Sequence, residues 1–189
     1  MLCAVAGAAC VLFVAAILAG APLGVASAAA ATVTVLAFAR RERAALRWSL
    51  LPWRLLALVT GMFLTVQTLS VHGLGALVAR LVGGSDSLLG QLRAAGTGAA
   101  LANLVDNLPA YLAGESAVPA ANHDQLLALL IGTNAGPLVT AWASLATLLW
   151  YERCAAFGLV IPKARVALNG AVLAVLAVLA ATFALAVTA

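Results

Sequence analysis

Long apolar runs separated by short polar clusters make up nearly the whole chain. Leu2–Gly20 is the first run; Ala21-Pro22 punctuates it, since Pro is tolerated at a helix start but not in its interior. Leu23–Ala39 is the second, and Leu51–Val71 the third, followed by a weaker helical stretch to Val82. "GGSDS" (Gly83–Ser87) reads as a loop. Leu88–Gly114 and Gln125–Tyr151 flank the polar "ESAVPAANHD" (Glu115–Asp124), and "ERCAAFGLVIPKAR" leads to the last run, Val166–Val187. Apolar runs of about 20 residues predict membrane-spanning helices. Ala and Leu dominate and no ten-residue in/out alternation appears, so the expected fold is an all-α membrane protein rather than a β-barrel. Residues 1–189 read as a single membrane domain.

Composition strengthens that picture. With 65% hydrophobic and 8% charged residues, the chain lacks the polar side chains a soluble domain needs for its surface. The net charge of +4 does not point to nucleic acid, because the Arg residues concentrate in connections, where the positive-inside rule accounts for them. "RRERAALRW" carries Arg40, Arg41, Arg43 and Arg47 against Glu42 and predicts a cytoplasmic interfacial segment over 40–50. Trp48 and Trp53 would sit at headgroup level, with membrane lipid as the partner. Cys3, Cys10 and Cys154 are isolated, with no C-x-x-C and no His at ligand spacing, so each reads as a small apolar side chain and no metal site is expected. "GVASA" near Ala28 has the look of a signal-peptidase site, but no Lys or Arg precedes Arg40, so the first run is expected to stay uncleaved.

Charge also sets the topology. If 40–50 is cytoplasmic, Leu51–Val71 crosses outward. Were Leu88–Gly114 an ordinary span, the acidic Glu115–Asp124 loop would lie inside and Arg153, Lys163 and Arg165 outside, against the positive-inside rule twice. A re-entrant hairpin over 88–114, entering and leaving on the outer side, puts both loops where they belong. Leu88 to Ala102 reaches only about 22 Å as a helix, short of a core of about 30 Å. The tip is expected at Asn103–Asn107. The C-terminus then lies outside, and 125–151 is a broken transmembrane helix.

Two polar stretches interrupt the hydrocarbon, "NLVDNLP" and "GTNAGP" (Gly132–Pro137). Non-helical backbone at membrane depth is tolerated only where protein buries it or a wet cavity adjoins it. Asn offers donor and acceptor together, and half-helix ends offer free N–H and C=O groups. Paired discontinuous helices point to a transporter's binding site. Asp106 is the one carboxylate expected within the hydrocarbon, suited to ion coupling or to capping the second hairpin arm. An intramembrane enzyme would need a Gly-x-Ser-x-Gly elbow or His-Glu-x-x-His; neither occurs, and no catalytic residue or cofactor is expected.

"ANLVDNLPAYL" resembles the "sN-x-x-NNLPA" hairpin motif of the arsenite/antimonite efflux permeases (arsenical pump membrane proteins). "IGTNAGPLVTAWASLATLLWYERC" is similar to that family's "G-x-N-x-GP-x-x-T-x-x-GSLA-x-LLW" pattern. The wider ion-transporter superfamily includes citrate and dicarboxylate carriers. The resemblance implies one inverted-repeat half of a secondary transporter, the C-terminal one, with about five transmembrane segments plus one re-entrant hairpin. It implies a hairpin tip of Asn103, Asp106, Asn107 and Pro109. It also implies a broken-helix site of Thr133, Asn134, Gly136, Pro137, Thr140 and Ser144. Asp106 departs from the family, which usually has Asn there; so do Leu138, where Asn is common, and Ala143, where Gly precedes Ser.

The expected function is efflux of arsenite, antimonite or a related small oxyanion across a bacterial-type plasma membrane, driven by membrane potential or a gradient of H+ or Na+. The implied partners are a complementary N-terminal half or a second copy, and an arsenical pump ATPase subunit. A dicarboxylate or citrate carrier and a non-transporting fragment or subunit are the alternatives.

Overall fold

The computed structural model describes residues 2–48, 51–85, 87–119 and 121–188, and the regular structure among them is helical throughout. Ser49 and Leu50 of the interfacial segment, Asp86 of the Gly83–Ser87 loop and Ala120 of the polar loop lie outside the described residues. Among the described residues, three helices are long and apolar enough to cross a membrane: Leu23–Arg41, Trp53–Val82 and Lys163–Thr188. Leu2–Leu18 is apolar but shorter. The chain divides into two compact units, Met1–Pro52 and Trp53–Ala189.

In the first unit, α1 (Leu2–Leu18) packs along α2 (Leu23–Arg41). Gly20, with φ of +85°, makes the turn between them, and Pro22 stands just ahead of α2, where a missing N–H costs no helical bond. Small residues mediate the pairing: Ala9 and Ala26 are buried while Leu12, Leu18 and Val25 face outward. Small side chains at these positions let the two backbones approach closely. A 3-10 turn follows at Arg43–Ala45. Arg43 Nε donates to Ala39 O, a carbonyl that the end of α2 leaves open, and Arg47 Nε donates to Ala44 O of the 3-10 turn.

The second unit begins with α3 (Trp53–Leu69), which continues through a π-type turn (Ser70–Leu74) into α4 (Gly75–Val82). The kink is at His72 and Gly73, the latter with φ of +103°. Then come α5 (Leu88–Val105), α6 (Asn107–Glu115), α7 (His123–Ala135), α8 (Leu145–Ala156) and α9 (Lys163–Thr188). Ser87 and Asn122 cap α5 and α7 through their side-chain oxygens, as helix-start chemistry dictates. Gln125, fully buried, donates from Nε2 to Gly83 O and so ties α7 to the end of α4.

The core of this unit is the crossing of α5 and α7, its most extensive helix pair. Glycines set the distance. A Cβ on Gly132 would lie 1.9 Å from Ala95 O, and one on Gly136 would lie 2.4 Å from Ala99 Cβ. The small-residue faces Ala95–Ala99 and Gly132–Gly136 therefore touch backbone to backbone. Leu129, fully buried, reaches both Gly98 in α5 and Gly114 in α6, glycines equally far along the chain from Asp106. The two helices on either side of Asp106 thus fold back alongside each other as a hairpin. α7 and α8 do not pack against each other in this way.

Candidate functional site

The first break is a single residue. Asp106 ends α5, its N–H donating to Ala102 O, and at the same time caps α6, its Oδ1 accepting from Leu108 N–H at 3.2 Å. A hairpin without a connecting loop needs a backbone conformation that reverses direction in one step, and Asp106 supplies it with φ 81° and ψ 152°. That region is essentially reserved for glycine, and holding another residue there costs about 1–3 kcal/mol. Asp106 is 3% exposed, and its Oδ2 completes no hydrogen bond within the protein. The N–H of Leu145, first residue of α8, faces the same carboxylate. Two half-helix N-termini thus converge on one acidic side chain.

The second break lies later than the sequence suggests. Gly132–Pro137 is expected to interrupt its segment, yet α7 runs unbroken through Ala135, and the non-helical stretch is 136–144. The physical reason is that Gly132 and Gly136 serve the close crossing with α5 rather than a turn. Pro137, buried, is what stops the helix, since its ring and missing N–H disfavour continuation. The placement of Asn103 also differs from expectation. It lies inside the last turn of α5, two residues before its end, and Asp106 alone forms the tip.

Asn103 joins the two breaks. Its Nδ2 donates to Ala99 O at 2.9 Å and to Gly136 O at 2.8 Å, while its Oδ1 accepts from Thr140 N–H at 3.1 Å and Thr140 Oγ1 at 3.2 Å. Its main-chain carbonyl accepts from Thr140 Oγ1 and, at 2.9 Å, from Trp142 Nε1. Asn107 N–H donates to Ala143 O at 2.9 Å. Both the donor and the acceptor face of the Asn103 amide are used, which is why Asn and not Asp or Leu suits this position.

The residues named from the sequence therefore divide. Asn103, Asp106, Asn107, Gly136 and Thr140 come together, with Pro109 buried in the first turn of α6 and Ser144 starting α8 without a side-chain cap bond. Thr133 and Asn134 do not join them. Both lie in α7 and bond Leu130 O of their own helix, Thr133 buried and Asn134 exposed. Trp142 and Ala143 are contributors the sequence reading misses. Ala143 acts through its carbonyl, which no side-chain pattern advertises, and the indole N–H of Trp142 had no visible partner until the break folded.

A cavity of about 400 Å³ adjoins the cluster between α5, the 136–139 segment and α9. Its walls include Ala99, Ala171 and Val175, and Asn103 is its one polar side chain. Cys3 and Cys10 are exposed on α1 and Cys154 is buried in α8, and among the described residues no group of three His, Cys, Asp or Glu gathers to hold a metal. No family model matches the chain, nor does any curated protein or solved structure.

Proposed function

We propose that the chain is one inverted-repeat half of a secondary transporter, in which Leu88–Glu115 forms a re-entrant hairpin and 123–156 a broken transmembrane helix. The observation that carries this reading is the pairing of the two breaks through Asn103, with Asp106 between the N-termini of α6 and α8. The buried Asp106 Oδ2 at this junction has no partner in the protein, and an unsatisfied polar group at membrane depth costs several kcal/mol, which a bound solute would offset. Discontinuous helices whose N-termini meet are the form that membrane binding sites for small solutes take.

In this reading the Arg40–Arg47 segment is cytoplasmic, the polar loop around Ser116 is outside, and the C-terminus is outside a bacterial-type plasma membrane. The cargo is arsenite, antimonite or a related small hydroxylated species moving outward, coupled to membrane potential or to H+ or Na+. Exposed Asn134 is a polar surface that lipid cannot satisfy, which favours a complementary half or a second copy over it.

Inside-out vesicles from cells making the chain together with any complementary half encoded beside it test the function directly. Arsenite should accumulate in them against a gradient, and an ionophore should abolish this. Thr140→Val, at equal membrane abundance, should lower the rate. Accumulation no greater than in vesicles lacking the protein would overturn the reading.

A further inference from the structure

Asp106 stands where an anion would otherwise be attracted. An α-helix N-terminus carries the equivalent of about +0.5 charge, so the starts of α6 and α8 together offer about one positive charge. No Lys or Arg occurs between Arg93 and Arg153, so the helix ends are the only positive groups that this stretch of sequence brings to the junction. The Asp106 carboxylate balances them: Oδ1 takes the Leu108 N–H, and the Leu145 N–H faces it from the other half-helix. Its Oδ2 is buried and accepts nothing from the protein. The chain also holds this residue in backbone geometry that glycine would adopt freely, so the position retains a carboxylate despite the strain.

We infer that Asp106 is a resident counter-charge that fills the anion position at the paired half-helices. The site then refuses anions and takes an uncharged, hydroxyl-bearing solute, whose O–H donates to Oδ2. This rests on the transporter reading and narrows it: arsenous acid, neutral at neutral pH, fits the class, whereas sulfate and dicarboxylates do not. Removing the carboxylate while keeping the cap should leave about one unneutralised positive charge and open the site to anions.

The test is equilibrium binding of radiolabelled sulfate to the purified full-length chain, wild type against Asp106→Asn and Asp106→Gly. Asn keeps the side-chain cap, and Gly relaxes the backbone, so the two variants fail for different reasons if they fail to fold. Sulfate should bind both variants about tenfold or more tightly than wild type, a factor equal to about 1.4 kcal/mol. A second measurement needs no variant. In the wild type, arsenous acid and not sulfate should slow amide hydrogen exchange over 106–108 and 145–148. Wild type binding sulfate as tightly as a folded variant, or sulfate protecting those amides in wild type, would overturn the assignment. If vesicles transport nothing but the variants still gain sulfate binding, the transport reading fails while the role of Asp106 stands.

Discussion

The two breaks in the Trp53–Ala189 unit solve one physical problem in opposite ways. Asp106 interrupts the helix in a single residue, with strained backbone and a charge, and the chain turns back so that α6 lies beside α5. The 136–144 stretch is longer, holds no charged residue, and leads α8 away from α7. The short break meets most of its own needs through the Asp106 side chain and takes one bond, Asn107 N–H to Ala143 O, from the long break, whereas the long one needs Asn103 from another helix to hold Thr140 N–H. A break that must reverse direction can be local. A break that passes onward exposes more peptide groups than its own side chains can satisfy, and a neighbouring helix must complete it.

The sharpest way to break this comparison is topological, because the outcome is all or none. Cys introduced at Ser116, just past the reversing break, and at Ala155, past the onward one, should react with an impermeant maleimide from opposite sides, Ser116 outside and Ala155 in the cytoplasm. Reaction of both from one side would show that the two breaks do not differ in direction across the membrane.

Next in size is the dependence on Asn103. Asn103→Ala strands the Thr140 N–H, worth about 1–3 kcal/mol when buried without a partner, whereas Gly136 O keeps the Leu138 N–H. A drop of that order in unfolding free energy, measured by denaturant titration in mild detergent, is expected. Thr140→Val should lose less, since its backbone N–H keeps its bond.

The glycines then separate packing from turning. Gly132→Ala places a methyl 1.9 Å from Ala95 O and should cost about 1–3 kcal/mol, the usual range for overpacking. Gly61→Ala in α3 meets nothing within 4 Å and should be neutral or stabilising by up to about 1 kcal/mol, the helix-propensity gain. Equal melting shifts for the two would refute the claim that Gly132 belongs to a helix crossing.

The smallest net change is expected at Asp106, where in the Gly variant a lost cap and a relieved strain oppose each other. Asp106→Ala and Asp106→Gly both lose the cap, worth about 0.5–2 kcal/mol, but only Gly escapes the strained backbone, worth about 1–3 kcal/mol. The Gly variant should therefore be the more stable by the strain alone. Asp106→Asn, which keeps both cap and strain, should melt close to wild type. A stable Ala variant and an unstable Gly variant would show that the backbone at Asp106 is not strained.

Part of this was legible in the sequence for a plain reason. Apolar runs, Pro22 and Pro137 act within a few residues of themselves, so their pattern states the helices they produce. The helical class, the presence of long apolar helices and two polar interruptions follow from composition and local chemistry alone. What needed the folded chain was everything carried by close approach. Gly132 and Gly136 read as helix breakers in one dimension and prove to be contact points in three, because a missing Cβ matters only where another backbone arrives. Likewise Thr133 and Asn134 sit among the motif's letters but face their own helix, while Trp142 and the carbonyl of Ala143 enter the cluster. Sequence spacing fixes which residues share a helix turn; only the crossing of α5 and α7 decides which polar groups meet, since that meeting depends on distances between helices that no local pattern encodes.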